Sequence, residues 1–207
     1  MPHQNRVTPF GELIATPERG TMYGNRGCLV DSSGAIKRRF KEIRWIICVL
    51  NFKNRRHPMM EPGRYTGLFF LDEAAALAAG HRPCAECQRK RFEQFRSDWA
   101  KGNPQHTNSP RPLAPVMDAV LHSERLGSKR VCDAIDYLPD GTFITYNHRD
   151  CYLVLGGKLL RWTAGGYEHS TPHDCSSAAT ILTPASTVRA LKAGYSVDIH
   201  PSAFDQQ

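Results

Sequence analysis

The sequence has no apolar run long enough to cross a membrane. Its longest uninterrupted apolar runs cover residues 45–50 and 74–79, whereas a membrane-spanning helix needs about 20 apolar residues. The first residues include Pro2, Pro9 and Pro17, without the apolar stretch that is typical of a secretory signal peptide. We therefore expect a soluble, cytoplasmic protein with no membrane partner.

The sequence also lacks repeats, low-complexity tracts and the glycine spacings of nucleotide-binding loops. With 41% hydrophobic and 23% charged residues in a chain of 207, there is enough apolar material for a buried core. These proportions exclude collagen-like, mucin-like and wholly disordered classes. The length fits one large domain or two small ones.

The seven cysteines are an odd number, and a chain of this length does not need a disulfide scaffold. Because no export signal is visible, we expect the thiols to be reduced. Metal binding, catalysis and simple burial are then the roles open to them.

The positive charge is concentrated in one region of the sequence. The formal net charge of the chain is +7, and residues 37–96 alone carry +8, with fourteen lysines and arginines against six acidic residues. A basic region of this kind favours anionic partners, and nucleic acid is the first expectation. The residues that we expect to contact nucleic acid, with DNA phosphates as the first expectation, are Arg38, Arg39, Arg44, Arg55, Arg56, Arg82, Arg89 and Lys90.

The middle of the basic region has a pattern typical of two strands followed by a short helix. Apolar runs rich in β-branched and aromatic residues predict strands over 44–52 and 65–71. Asp72 stands where an N-cap belongs, before an alanine-rich helix over 73–79. Gly80 follows at the position where a glycine commonly ends a helix.

A second helix is predicted to run to about Lys101. Phe92, Phe95 and Trp99 recur along it at helical spacing and form its apolar stripe. Residues 101–115 contain four prolines and few apolar residues, which is typical of a linker or an exposed loop.

The second half of the sequence predicts a small antiparallel sheet with helices. Gly156 and Gly157 indicate a tight hairpin, and Thr183 and Pro184 are suited to the N-cap and first residue of the last helix. The expected strands cover 142–147, 151–155, 158–162, 179–182 and 195–199, and the expected helices cover 116–126 and 184–192.

The strongest candidate site is the CxxC pair formed by Cys84 and Cys87. The pair opens a helix, and a helix N-terminus stabilises thiolates, so both a metal site and a redox pair are chemically possible. A zinc site needs four ligands. Cys48, on the neighbouring strand, is the leading third ligand, while Cys28 and His57 compete for the fourth place.

These features predict an α+β protein in which a zinc-stapled strand/helix module is followed by a small antiparallel sheet with helices. The expected domains are a basic metal-binding module over 1–100, a linker over 101–115 and an α+β unit of unknown role over 116–207. Because each half is small for independent stability, packing of both into one domain is the alternative.

Residues 45–96 resemble the N-terminal metal-binding domain of the Ada family of DNA-alkylation-response proteins. The resemblance is carried by the strand that contains Cys48, by the segment LFF followed by EAAALAAG, and above all by the run AGHRPCAEC, which ends at Cys87. It covers about a quarter of the chain.

The resemblance implies a zinc ion held by four cysteines, one of which takes a methyl group from a methylated DNA phosphotriester. Cys84 and Cys87 match the downstream zinc pair of that family, and Cys48 matches the methyl-accepting position. The second upstream cysteine of the family has no counterpart between Cys48 and Cys84. Cys28 or His57 then replaces it, or the site has fewer ligands.

Two other classes of function fit the sequence. A hydrolase or nuclease would have its active site between the halves and use the metal or the region of His148 and Cys151. In the alternative interpretation of that region, Asn147 and Asp150 simply form a turn. A third possibility is a protein in which zinc only sets the fold.

Overall fold

The computed structural model describes residues 1–54, 59–132, 135–169 and 178–205. Within them the chain forms two six-stranded sheets and four α-helices, so the predicted α+β class is confirmed. The strands are β1 Gln4–Val7, β2 Leu13–Ala15, β3 Met22–Asn25, β4 Ile46–Val49, β5 Leu68–Phe70, β6 Arg82–Pro83, β7 Arg130–Cys132, β8 Phe143–Thr145, β9 Tyr152–Leu155, β10 Lys158–Trp162, β11 Tyr167–His169 and β12 Ala179–Ile181. The helices are α1 Glu73–Ala78, α2 Arg89–Gly102, α3 Ala114–Leu126 and α4 Ala185–Lys192.

The first sheet has the strand order β2-β1-β5-β3-β4-β6. Strands β4 and β5 lie inside the two predicted ones, but β1, β2 and β3 come from a segment rich in glycine, proline and threonine that gave no strand signal. Packing explains why a glycine stands at position 24 in β3: a Cβ there would lie 2.2 Å from the carbonyl oxygen of Ile46 on β4. The close approach of two strands therefore requires glycine where propensity disfavours it.

Helix α1 joins the cores of the two sheets. As predicted, the Asp72 carboxylate caps it by accepting a bond from the Ala75 N–H at 2.8 Å, and Gly80 follows with a φ of +87°. All six residues of α1 are buried. Leu77 packs in the core of the first sheet, and Ala74 packs in the core of the second. The small alanine side chains allow both sheets to approach this helix closely.

Helix α2 carries the predicted apolar stripe on its buried face. Phe92, Phe95 and Trp99 lie in one core with Met117 of α3 and Leu191 of α4. The two halves of the chain thus share a hydrophobic core. None of the helices in the described ranges is long and apolar enough to cross a membrane.

The second sheet is antiparallel throughout its described strands, as predicted, in the order β11-β10-β9-β8-β12-β7. Gly156 and Gly157 form the predicted hairpin turn between β9 and β10, with φ angles of +56° and +72°. Helix α4 begins one residue later than expected because Pro184 is its N-cap, while the Thr183 hydroxyl accepts a bond from the Phe143 N–H at 2.9 Å.

The predicted edge strand over 195–199 is wrong. Instead of pairing with a sheet, this segment is held by buried Glu73, whose carboxylate accepts bonds from the Tyr195 hydroxyl at 2.5 Å and from the Asp198 N–H at 2.9 Å. The Tyr195 ring packs edge-on against Phe95 at 5.2 Å. The sequence of this segment is compatible with a strand. It does not reveal that the buried Glu73 carboxylate binds the backbone N–H of Asp198 and so takes the place of a neighbouring strand.

Candidate metal centre

Three cysteines meet where the edge of the first sheet joins helix α2. Strands β4 and β6 pair in parallel, and the Cys84 N–H continues this pairing by donating to the Ile47 carbonyl at 2.8 Å. This register places Cys48 beside Cys84, and the turn that leads into α2 brings Cys87 back to both. Their Sγ atoms all lie within 4.8 Å of one another.

The three sulfurs fit a tetrahedral metal ion. With Zn–S bonds of about 2.3 Å, two sulfurs on one zinc lie about 3.8 Å apart, a spacing that this cluster permits. All three are free thiols, with no disulfide among them. The Glu86 N–H donates to the Cys84 Sγ at 3.4 Å, which is the backbone support that a thiolate ligand receives in metal sites.

The thiols shift each other's pKa because they share hydrogen bonds. Bonds from Cys48, then from Cys87, lower the pKa of the Cys84 thiol, and backbone N–H groups add to the effect. The same bonds to Cys84 and Cys87, together with burial, raise the pKa of Cys48. For Cys87, the bond with Cys48 lowers the pKa, but the bond with Cys84 and burial outweigh it, so its pKa is raised. The cluster therefore stabilises one thiolate readily, and a cation is needed to stabilise more.

Sequence reasoning missed the aromatic side of this centre. Tyr23 on β3 is the register partner of both Cys48 on β4 and Phe69 on β5, so the three side chains form a row across the sheet. The Tyr23 and Phe69 rings meet edge-on at 5.5 Å, and Tyr23 packs in one cluster with the cysteines. Burial raises the pKa of Tyr23, as do the charge of Tyr65 and that of Cys48 nearby, and its hydroxyl shares a hydrogen bond with Tyr65.

A cavity of about 560 Å³ adjoins the aromatic side of the centre. Phe69 links the two, because it lines the cavity and also packs against the cysteine cluster. Leu50, two residues after Cys48, lines the cavity as well, together with Asn5 and Arg6. The cavity therefore leaves room for an organic group of moderate size beside the cysteine cluster.

The structure distinguishes among the predicted ligands. Cys48, Cys84 and Cys87 come together. Within the described ranges Cys28 does not belong to this group; its thiol contacts the Val30 carbonyl at 3.6 Å instead. His57, the other candidate for the fourth place, lies outside the described residues.

Five of the predicted nucleic-acid contacts have exposed side chains: Arg38, Arg39, Arg44, Arg89 and Lys90. Arg44 pairs with Glu42 at 3.0 Å and Arg89 pairs with Glu93 at 2.9 Å, both on the surface. Such surface pairs are weak and leave the cations able to exchange partners. Arg55 and Arg56 lie outside the described residues.

Arg82 is a correction to the predicted set. Its side chain is only 2% exposed, and its Nε and Nη2 each donate to the Asp118 carboxylate at 2.8 Å. The third nitrogen, Nη1, donates to the Pro83 carbonyl at 3.0 Å. A guanidinium used in this way joins β6 to α3, and it is buried too deeply to reach a phosphate.

The region of His148 and Cys151 has the geometry of a turn. The Asn147 side-chain oxygen accepts bonds from the Arg149 and Asp150 N–H groups, both at 2.9 Å. Cys151 is buried, and this burial, with the nearby charge of Asp150, raises the pKa of its thiol. A thiol in that environment is a poor nucleophile, which disfavours an active site of this kind.

In comparisons with known proteins, no family model, no curated protein and no solved structure matches this chain. The cluster of Cys48, Cys84 and Cys87 is consequently the feature from which a function has to be inferred.

Proposed function

We propose that the chain is a zinc protein whose metal is held by Cys48, Cys84 and Cys87, and that it contacts nucleic acid through the basic surface beside the metal. The observation that carries the proposal is the convergence of three reduced thiols from two strands and a helix start. Thiolates are soft ligands, which favour zinc over the hard cations magnesium and calcium. His57 or a water molecule is the proposed fourth ligand.

The metal would connect elements that are otherwise joined by few bonds. Strand β6 has two residues, and its pairing with β4 is supported by the bond from the Gln88 side chain to the Ile47 carbonyl at 2.8 Å. A bound zinc fixes the same connection through Cys48 and Cys84. When bound, zinc also supplies a positive charge that keeps the sulfurs as thiolates.

The nucleic-acid part of the proposal rests on what surrounds the sulfurs. Arg89 and Lys90 are the first two residues of α2, one residue beyond Cys87, and both are exposed. Lys53, five residues after Cys48 in the sequence, is exposed and lies 5.1 Å from the ring of Phe52. Cations of this kind bind backbone phosphates, and aromatic side chains offer surfaces for base stacking.

The salt dependence of DNA binding tests this part of the proposal. If Arg89 and Lys90 each neutralise one phosphate, the slope of log affinity against log salt becomes less steep by about 1.8 on duplex DNA when both are changed to glutamine. The affinity at low salt falls as well. Fluorescence anisotropy with duplex and single-stranded oligonucleotides measures both quantities.

Lys101→Gln is the matched control, because Lys101 is an exposed cation at the opposite end of the same helix. We expect this variant to keep the wild-type slope. Absence of measurable binding at low salt, or an equal loss in the control, would contradict the proposed interface and leave the metal centre standing.

The resemblance to the Ada family adds a more specific proposal, in which Cys48 accepts a methyl group from a methylated DNA phosphotriester. A zinc-bound thiolate would be a nucleophile towards such a carbon: a bond forms between the Cys48 Sγ and the methyl carbon, the bond from that carbon to the phosphate oxygen breaks, and the DNA phosphodiester anion leaves. Incubation with methylated DNA followed by peptide mass spectrometry should find a methyl group on Cys48 and none in a Cys48→Ser variant. Cys48 is 8% exposed, so an unmodified Cys48 after prolonged incubation would exclude this chemistry and favour a purely structural metal.

A further inference from the structure

Arg26 is a buried cation that has no counter-ion in the part of the chain that the structure describes. Its side chain is about 1% exposed, and its guanidinium lies 4.0 Å from the ring of Trp45. Nε donates to the His81 Nε2 at 3.2 Å, and Nη1 donates to the Gly11 carbonyl at 2.8 Å. Nη2 has no hydrogen-bond partner among the described residues, and none of their carboxylates contributes to the electrostatics of Arg26.

A cation in this position is costly to the fold. Buried charges are normally paired with an opposite charge, since water is no longer present to solvate them. Burial lowers the pKa of Arg26 to about 9, with further contributions from Arg125 and Arg39. At neutral pH the guanidinium therefore still carries its charge, and two more cations add to the positive potential around it.

The unpaired group lies at a cavity of about 320 Å³ that is rich in arginine. Arg38 and Arg39 line the same cavity, and Glu12 contributes the one carboxylate among the residues around it. Gly11 is also part of the lining, and a Cβ at that position would stand 3.8 Å from the Arg26 Nη2. This distance places the buried Arg26 Nη2 directly behind the Gly11 part of the cavity wall. The remaining residues of the lining are Gln4, Leu13 and Ile36.

We propose that this cavity binds one phosphate group, with the Arg26 Nη2 as the donor at its base and Arg38 and Arg39 at its rim. Guanidinium groups match the oxygens of phosphate in both charge and geometry. The phosphate comes either from a small phosphorylated molecule or from a nucleic-acid backbone. This site uses none of the cysteine ligands, so it does not depend on the proposed metal centre.

Calorimetric titration with inorganic phosphate, at constant ionic strength set by chloride, tests the proposal. We expect saturable binding at one site, and a loss of affinity of about a hundredfold in the double variant Arg38→Ala/Arg39→Ala, about tenfold for each charge-assisted contact removed. Both side chains are exposed, so the variant should fold.

The double variant Lys37→Ala/Arg64→Ala is the control. It removes the same charge from two exposed cations that do not line the cavity. We expect its affinity for phosphate to stay within about twofold of wild type, because each of the two cations pairs with a carboxylate outside the cavity and exposed charges are screened by salt. An equal loss in this control, or no saturable binding to the wild-type protein, would overturn the proposal.

A second titration identifies the source of the phosphate. A short DNA duplex without terminal phosphates is titrated into the wild-type protein with and without saturating inorganic phosphate. Competition between the two supports the site and assigns it to the nucleic-acid backbone. Independent binding supports the site and assigns it to a small phosphorylated molecule. The zinc content of the arginine variants is expected to be unchanged, so a failure here is distinguishable from a failure of the metal centre.

Discussion

Changing Cys84 to serine is expected to abolish stoichiometric zinc binding and to destabilise the fold strongly. Cys84 contacts both other thiols and receives the Glu86 N–H, so its loss leaves only two sulfur ligands. A ligand that binds only the folded state adds about 4 kcal/mol to the free energy of unfolding when its free concentration is about a thousand times its Kd. Zinc content by plasma mass spectrometry, and urea unfolding with and without a chelator, measure the two effects.

Cys28→Ser is the matched control for this prediction. Cys28 is a partly buried thiol in the same half of the chain, and its sulfur contacts the Val30 carbonyl rather than the cluster. We expect this variant to retain its zinc and nearly all of its stability. If Cys28→Ser loses zinc as completely as Cys84→Ser does, the assignment of the three ligands is wrong.

Changing Arg82 to methionine should lower the free energy of unfolding by about 3–5 kcal/mol. The substitution leaves the Asp118 carboxylate buried without its two bonds from the guanidinium, and an unpaired buried charge costs this much. The double variant Arg82→Met/Asp118→Leu removes both charges and should recover a large part of the loss. Urea denaturation monitored by tryptophan fluorescence gives the free energy of unfolding of the wild type, the single variant and the double variant.

Arg89→Met provides the comparison on the surface. Arg89 forms an ion pair with Glu93 at 2.9 Å, but its side chain is mostly exposed, so its removal should cost less than about 1 kcal/mol. Equal effects of the two substitutions would show that Arg82 does not have the structural role assigned to it.

Short-range signals in the sequence predicted the local structure of residues 72–87, the segment that contains Cys84 and Cys87. The cap at Asp72, the glycine at position 80 and the spacing of Cys84 and Cys87 all act within one turn of chain, and such local rules can be read directly from a sequence. Cys48 was also predicted, because it lies in a short apolar run, rich in β-branched residues, that predicts a strand next to the CxxC pair.

Long-range features could not be read in the same way. Tyr23 lies in a four-residue strand interrupted by Gly24, which is too short to show a period. Its place beside Cys48 follows from the register of β3 and β4. Similarly, nothing local distinguishes buried arginines from exposed ones: Arg82 is paired with a residue 36 positions away, and Arg26 is covered by Trp45 and His81. An inference from the charge of a sequence segment treats such arginines as surface residues, although Arg26 and Arg82 lie in the interior.

X-ray absorption at the zinc edge of the purified protein is the most direct test of the central claim. With Cys48, Cys84 and Cys87 as ligands, the spectrum should require three sulfurs at about 2.3 Å and one nitrogen or oxygen at about 2.0–2.1 Å. A His57→Ala variant then distinguishes imidazole from water as the fourth ligand, because only imidazole gives the outer-shell scattering of a ring. A spectrum that requires four sulfurs, or a purified protein that contains no stoichiometric zinc after growth with the metal, would contradict the account.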